Sequence, residues 1–163
     1  MLEDAVLHYV DNLEDANHFL VWINCLEGSV AVDTETTGLE WWTHPFVRLI
    51  QFGSGTEAWA LDTLRWRGVI EEGLSRIISR GLAVIMHNCA FDQHALEGDG
   101  YPTPLWSQLH DTMFVHHLLY PHESHGLKQV AASLFGTGAY AGQNSLKSLM
   151  KRTGTDWATV DTR

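Results

Sequence analysis

Apolar positions recur along this chain with two periods, and the switches between them mark out its elements. Residues 6–10 (VLHYV) read as a short strand. Residues 13–26 read as an amphipathic helix with Leu13, Ala16, Leu20 and Ile23 along one side. Residues 30–35 form a buried strand that stops at the Thr36-Thr37-Gly38 turn. Residues 47–54 and 57–62 pair as a hairpin around Ser54-Gly55-Thr56. A helix covers 67–79, with Gly81 suited to its C-terminal cap. Residues 82–87 (LAVIMH) are a continuous apolar run, the pattern of a central strand covered on both faces. Helices over 90–97, 112–120, 127–135 and 145–152 complete the set, the last ending at Gly154.

Three strands followed by strands alternating with helices predict an α/β fold: a mixed sheet flanked by helices. With no repeat, low-complexity tract or linker, the 163 residues are expected to form one domain. A chain 45% hydrophobic and 18% charged is globular rather than disordered. No apolar run reaches the length of a membrane span, and the acidic start MLEDAVLHYV lacks the basic and apolar regions of a signal peptide. Cys25 and Cys89 are too few for a disulfide framework, so a reducing, cytoplasmic setting is expected.

Candidate chemistry begins in VAVDTETTGL. Side chains alternate across a strand, so Asp33 and Glu35 share a face and repel one another. A divalent cation between them would relieve that, and magnesium or manganese favours carboxylate oxygen over imidazole or thiolate. The competing reading makes both exposed turn acids beside Gly38. In HNCAFD, Asn88 has the chemistry of an N-cap and Asp92 lies one turn later on the same face. The helix dipole alone would favour an acid there, so capping accounts for each residue singly. It does not account for this pair following a buried strand when a D-x-E strand lies earlier.

Together these stretches resemble the DEDD family of 3′–5′ exonucleases. Asp33 and Glu35 in DTETTGL match its first motif, and Asn88 and Asp92 in HNCAFD its second. RLIQFG, HDTMFVHHLL and HGLKQVAASLFG resemble the neighbouring segments, so the likeness runs from Val30 to Trp157. It is nearest to the proofreading domain of phage and bacterial family-A DNA polymerases, with ribonuclease D-like RNA exonucleases next.

The resemblance implies a ribonuclease H-like sheet and two-metal phosphodiester hydrolysis at DNA 3′ ends, with two Mg²⁺ or Mn²⁺ ions roughly 3.5–4 Å apart. It implies that Asp33 bridges both ions, that Glu35 binds one and contacts the terminal 3′ hydroxyl, and that Asp92 binds directly or through an intermediary. Thr34, Leu39, Asn88 and Phe91 match positions near substrate: Asn88 orients the site, while Leu39 and Phe91 wedge against terminal bases. Core packing is the competing role for Phe91. An inactive scaffold of the same fold is the rival from another class.

A net charge of −10 is at odds with unaided nucleic-acid binding. Either metal ions supply positive charge locally, or basic parts of a longer, covalently linked polymerase hold the single-stranded DNA. The family's third motif, an Asp four residues after a Tyr or five after a His, has no match. Asp156 has Arg152 and Lys151 at those offsets, and Asp161 has Trp157 and Asp156. The chain is therefore expected to stop short of that motif.

The remaining features have plainer readings. His116, His117, His122 and His125 invite a zinc site, but adjacent histidines on a helix point apart and no cysteine joins them. Asp111 before TMFV is expected to be a helix N-cap and not a ligand. Trp41, Trp42, Trp59, Trp66 and Trp106 offer stacking surfaces, though burial is the commoner fate of Trp. Lys128 reads equally as a phosphate contact and as a solvated helix residue. No nucleophile triad or phosphate loop is present.

Overall fold

The computed structural model describes residues 5–40, 46–136, 138 and 141–159. Six strands, β1 (Val6–Tyr9), β2 (Ser29–Thr36), β3 (Val47–Ser54), β4 (Glu57–Asp62), β5 (Ala83–Met86) and β6 (Leu109–Asp111), form one sheet in the order β1-β4-β3-β2-β5-β6. The β2-β3-β4 meander is antiparallel, and β1, β5 and β6 add parallel to it. Among the described residues six α-helices accompany it: α1 (Leu13–Cys25), α2 (Thr63–Ser79), α3 (Cys89–Gly98), α4 (Thr112–Leu119), α5 (Leu127–Phe135) and α6 (Ala141–Thr153). This is the expected mixed sheet flanked by helices.

Alternation along the strands decides which face is packed. Val30, Val32 and Thr34 of β2 are buried while Ala31 and Asp33 between them are exposed. The two valines join Ile50 and Phe52 of β3, Phe19 and Ile23 of α1, Ile70, Leu74 and Ile77 of α2, and Leu96 of α3 in one core. At Gly73 of α2, an added Cβ would lie 2.9 Å from the Phe19 ring, so glycine is what lets α1 and α2 approach this closely. The opposite face carries an open cleft of about 320 Å³ whose lining includes Asp33, Gln51, Gly53, Ile85 and His87.

Five expectations need correction, one of them at α6, which begins at Ala141, four residues before the expected start at 145. Strand β5 has β6 outside it, and its burial alternates, with Ala83 and Ile85 only half-buried, so it is not covered on both faces. Strand β6 had no counterpart in the sequence reading. Helix α2 begins four residues early: Asp62 caps it through Leu64 N–H at 2.9 Å, and non-helical Trp66 kinks it near where the regular pattern starts. Helix α3 begins at Cys89, and Asn88 is no side-chain cap but stands in the left-handed region at φ 67°. Asn tolerates that conformation better than most residues do. Gly81, at φ 65°, follows the C-cap of α2 as expected.

Candidate active site

Parallel pairing of β2 with β5 sets the C-terminal ends of these strands side by side. Asp33 and Glu35 lie at the end of β2, and α3 leaves β5 carrying Asp92 in its first turn. Asp92 is 4% exposed, and Thr34 ties it directly to β2. The Thr34 backbone N–H and hydroxyl both donate to Asp92 Oδ1, at 3.1 and 2.6 Å. Neither bond uses Oδ2. Thr34 is itself buried, so its hydroxyl supports Asp92 from within the fold.

All three carboxyls are harder to ionise than usual. Burial raises Asp33, against partial relief from the Thr34 backbone. Asp33 is exposed at the cleft floor, but the protein around that concave floor still strips hydration from a charge. Burial, then the negative charge of Asp33, pushes Glu35 up to about 7, with Asp92 adding to it. Lys147 of α6 and a hydrogen bond with Gln51 pull Glu35 the other way. Burial also lifts Asp92 to about 6 despite the Thr34 bonds. Nothing in the sequence marked Lys147, because only the fold brings α6 to the end of β2.

Such a donor set suits a hard divalent cation: three oxygen ligands, each destabilised as an isolated anion. Among the described residues, no three acid, His or Cys side chains converge closely enough to enclose an ion as they stand. Asp92 is drawn toward Thr34.

The other expected site residues are dispersed around this centre. Leu39 is 79% exposed just beyond β2. Phe91 is half-buried, edge-on to Phe46 with ring centroids 6.1 Å apart. Asn88 forms the turn into α3. Trp59 is buried and stacked on His8, Trp66 is half-buried, and Trp106 is exposed. Trp41, Trp42 and Asp161 lie outside the described residues. The Asp156 carboxylate accepts from Ala158 N–H, Thr159 N–H and the Thr159 hydroxyl, closing a local turn.

Asp111 does cap α4, accepting from Met113 and Phe114 N–H. Three of the histidines meet one another. Adjacent His116 and His117 both reach His125, one at each of its ring nitrogens, at 2.9 Å.

Residues 7–158 match the 3′–5′ exonuclease family of family-A DNA polymerases, and the chain belongs to that family. It is a 3′–5′ exonuclease domain, a hydrolytic nuclease by family. Its relatives include the DNA polymerases of Mycobacterium phages D29 and L5, 26% and 27% identical over 96% of this chain. The chain spans only 28% and 29% of the length of those polymerases. Among solved structures, Trypanosoma brucei RNase D superposes with a TM-score of 0.73 at 17% identity, over 100% of this chain and 58% of that one. The catalytic core of RRP6 from the same organism gives 0.65 at 22%, over 83% and 36%. These two likenesses establish the ribonuclease H-like fold. The family is generally dependent on divalent metal. No helix among the described residues is long and apolar enough to cross a membrane.

Proposed function

We propose that Asp33, Glu35 and Asp92 hold divalent metal, Mg²⁺ or Mn²⁺, for the removal of nucleotides from DNA 3′ ends as the proofreading part of a polymerase. The observation that carries this reading is the Thr34–Asp92 contact, which ties α3 to the end of β2 and so sets three carboxyls that resist ionisation at one end of the sheet. When bound, a pair of ions would stabilise the attacking and leaving oxygens of an in-line displacement. Asp33, on the cleft floor, Glu35, beside Gln51, and Asp92 would together hold the ions, and Glu35 would also meet the terminal 3′ hydroxyl. Thr34 keeps Asp92 oriented. Exposed Leu39 and half-buried Phe91 would wedge against the terminal bases, and Asn88 would orient the site through the turn from β5 into α3.

Attachment to a longer polymerase draws support from three facts. The chain carries a net charge of −10, too acidic to gather phosphates unaided. It covers less than a third of its phage relatives. Helices α4 and α5 expose Phe114, Leu118, Leu119, Leu134 and Phe135, more apolar surface than a finished globule usually leaves bare. In this reading the chain is one domain that ends before the third exonuclease motif, which would bring the fourth acid and the group that positions water. The phage relatives favour DNA over RNA.

The test uses matched DNA and RNA oligonucleotides labelled at the 3′ or the 5′ end, with Mg²⁺ or Mn²⁺. Release of 3′ label from DNA, abolished by EDTA and by Asp33→Ala, is expected. Cleavage that survives EDTA would refute the metal reading, and preference for RNA would replace the substrate with that of a ribonuclease D-like trimmer. A chain that binds no Mn²⁺ at millimolar concentration would be a scaffold.

A further inference from the structure

One carboxylate, that of Asp111, holds the start of two helices. Its Oδ1 accepts from Met113 and Phe114 N–H at 2.8 and 3.2 Å, the ordinary N-cap of α4. The same oxygen also accepts from Asn88 N–H at 3.1 Å, and Oδ2 accepts from Cys89 N–H at 2.9 Å. These last two donors belong to a different element: the turn where β5 becomes α3. Asn88, the only non-glycine residue at positive φ among those described, makes no side-chain cap of its own. Its left-handed backbone turns two successive N–H groups toward one point, a concavity suited to an anion. Strand β6 delivers the anion, since its register sets Asp111 beside Met86, two residues before Asn88.

We propose that Asp111 is a positioning residue for the exonuclease centre: by clamping the Asn88–Cys89 turn it fixes where α3 starts, and so where Asp92 meets Thr34. The assignment rests on reading Asp33, Glu35 and Asp92 as that centre. Asp92 lies only one turn beyond the clamp, and Phe91 N–H closes onto Asn88 C=O at 3.0 Å in between. A tilt of the turn therefore carries Asp92 with it. Catalysis tolerates little of that, since a displacement of about 1 Å can cost on the order of 10²-fold in rate.

The electrostatics agree. Burial alone would raise the Asp111 carboxyl, but the N–H groups of Asn88, Cys89 and Phe114 outweigh it and hold the group below its ordinary value. Burial and the bond to Asp111 push the Cys89 thiol up to about 11, which leaves it a protonated donor to that carboxylate. Capping of α4 would need none of the contacts to α3.

Two variants separate the halves of the clamp. Asp111→Asn keeps one acceptor oxygen but offers an NH₂ group where Cys89 N–H needs an acceptor. Asp111→Ser still caps α4 and is too short to reach across to α3. Asn12→Ala is the control, because Asn12 caps the distant α1 through Asp15 N–H and its loss lowers stability without touching this turn. In hydrogen–deuterium exchange, both Asp111 variants should speed the amides of 88–93 at least tenfold. Where the chain cleaves, kcat should fall at least tenfold with KM for the oligonucleotide within twofold. Asn12→Ala should lower Tm and move neither readout. Exchange over 88–93 within twofold of the parent, or changed equally by Asn12→Ala, would overturn the proposal. A parent chain that neither binds Mn²⁺ nor cleaves would refute the exonuclease assignment on its own account, and unchanged exchange would still separately refute the clamp.

Discussion

Thr34 and Asp92, 58 residues apart in sequence, meet through two hydrogen bonds on a single carboxylate oxygen. The contact joins the strand that carries two of the candidate acids to the helix that carries the third. Both donors sit on one residue of β2, so the strand supplies one anchor for Asp92 and the turn that starts α3 supplies the other.

Thr34→Val should expose what that contact contributes. The substitution keeps the β-branched shape and the backbone bond but removes the hydroxyl donor. A bond to a charged acceptor is worth about 1.5–3 kcal/mol, so thermal melts in EDTA at neutral pH should show Tm lower by several degrees. Because the hydroxyl also holds the Asp92 pKa down, Mn²⁺ affinity measured calorimetrically should fall as well. An unchanged Tm and affinity would mean that the backbone bond alone places Asp92.

The raised carboxyls set a pH dependence with a definite sign. Glu35 moves from an ordinary 4.5 to about 7, and Asp92 from 3.8 to about 6. In those windows the folded chain holds protons that the unfolded chain has released, so stability from these groups is full at low pH and lost as pH rises through the folded values. Metal-free Glu35→Gln should therefore gain Tm over the parent chain at pH 8 and little at pH 4.5. Mn²⁺ should reverse the order at pH 8, because binding requires the anion that the variant lacks. Melts at the two pH values, with EDTA and with Mn²⁺, give all four comparisons.

Gly73→Ala tests the packed face. Alanine improves helix propensity by about 1 kcal/mol in an unstrained position, but here its Cβ would lie 2.9 Å from Phe19 Cε1 and 3.1 Å from Cζ. Phe19 is fully buried between α1 and the sheet and has nowhere to retreat. Overpacking of this kind costs about 1–3 kcal/mol, so a net loss of Tm is expected. A gain would show that Phe19 has room to move.

The sequence made the acids legible because their spacing is local. Asp33 and Glu35 share a strand, and Asn88 and Asp92 share the start of a helix, so periodicity alone paired each set. The open sheet face was not legible, since the apolar run around Val84 reads the same whether one face is covered or both. Three-residue β6 is too short to show a period, and half the function of Asp111 went unseen with it. Asn88 carries the right chemistry for a cap, and only the path of the backbone shows that it supplies a left-handed turn instead. Lys147 approaches Glu35 across more than a hundred residues, a distance no local pattern spans.

His125 should titrate below its ordinary value. Each of its ring nitrogens lies 2.9 Å from the Nδ1 of another histidine, and burial together with charge on His117 and His116 lowers its pKa, against an opposing effect of Glu123. Three cationic rings would place N–H against N–H at both contacts. As pH falls below about 6.5, the unfolded chain takes up a proton that folded His125 resists, so this cluster loses stability where Glu35 and Asp92 gain it. His117→Asn removes one neighbouring charge, and the His125 midpoint followed by ring NMR should rise. A parent midpoint at or above 6.5, or one unmoved by the variant, would contradict this account.

Under the proposed function, the chain supplies three acids and lacks the third motif, whose Asp would complete the metal set and whose Tyr or His would position the attacking water. Of the two late acids, Asp156 is committed to its own turn and Asp161 has no Tyr or His at the required offset. The cleft beside Asp33 is open along Ala31, Gly53 and Ile85, on the sheet face away from the main core. A following helix laid across that face would both cover it and bring new side chains to the acids. Cleavage by the 163-residue chain is therefore expected to be slow, with weak binding of at least one ion. Extending the chain with the coding sequence downstream of Arg163 should raise the rate by about 10²–10⁴, the usual contribution of a positioned acid–base group. Single-turnover digestion of a 3′-labelled oligonucleotide, run on both chains at matched Mn²⁺, measures the difference. Full activity in the shorter chain, abolished by Asp161→Ala, would instead make Asp161 the fourth ligand.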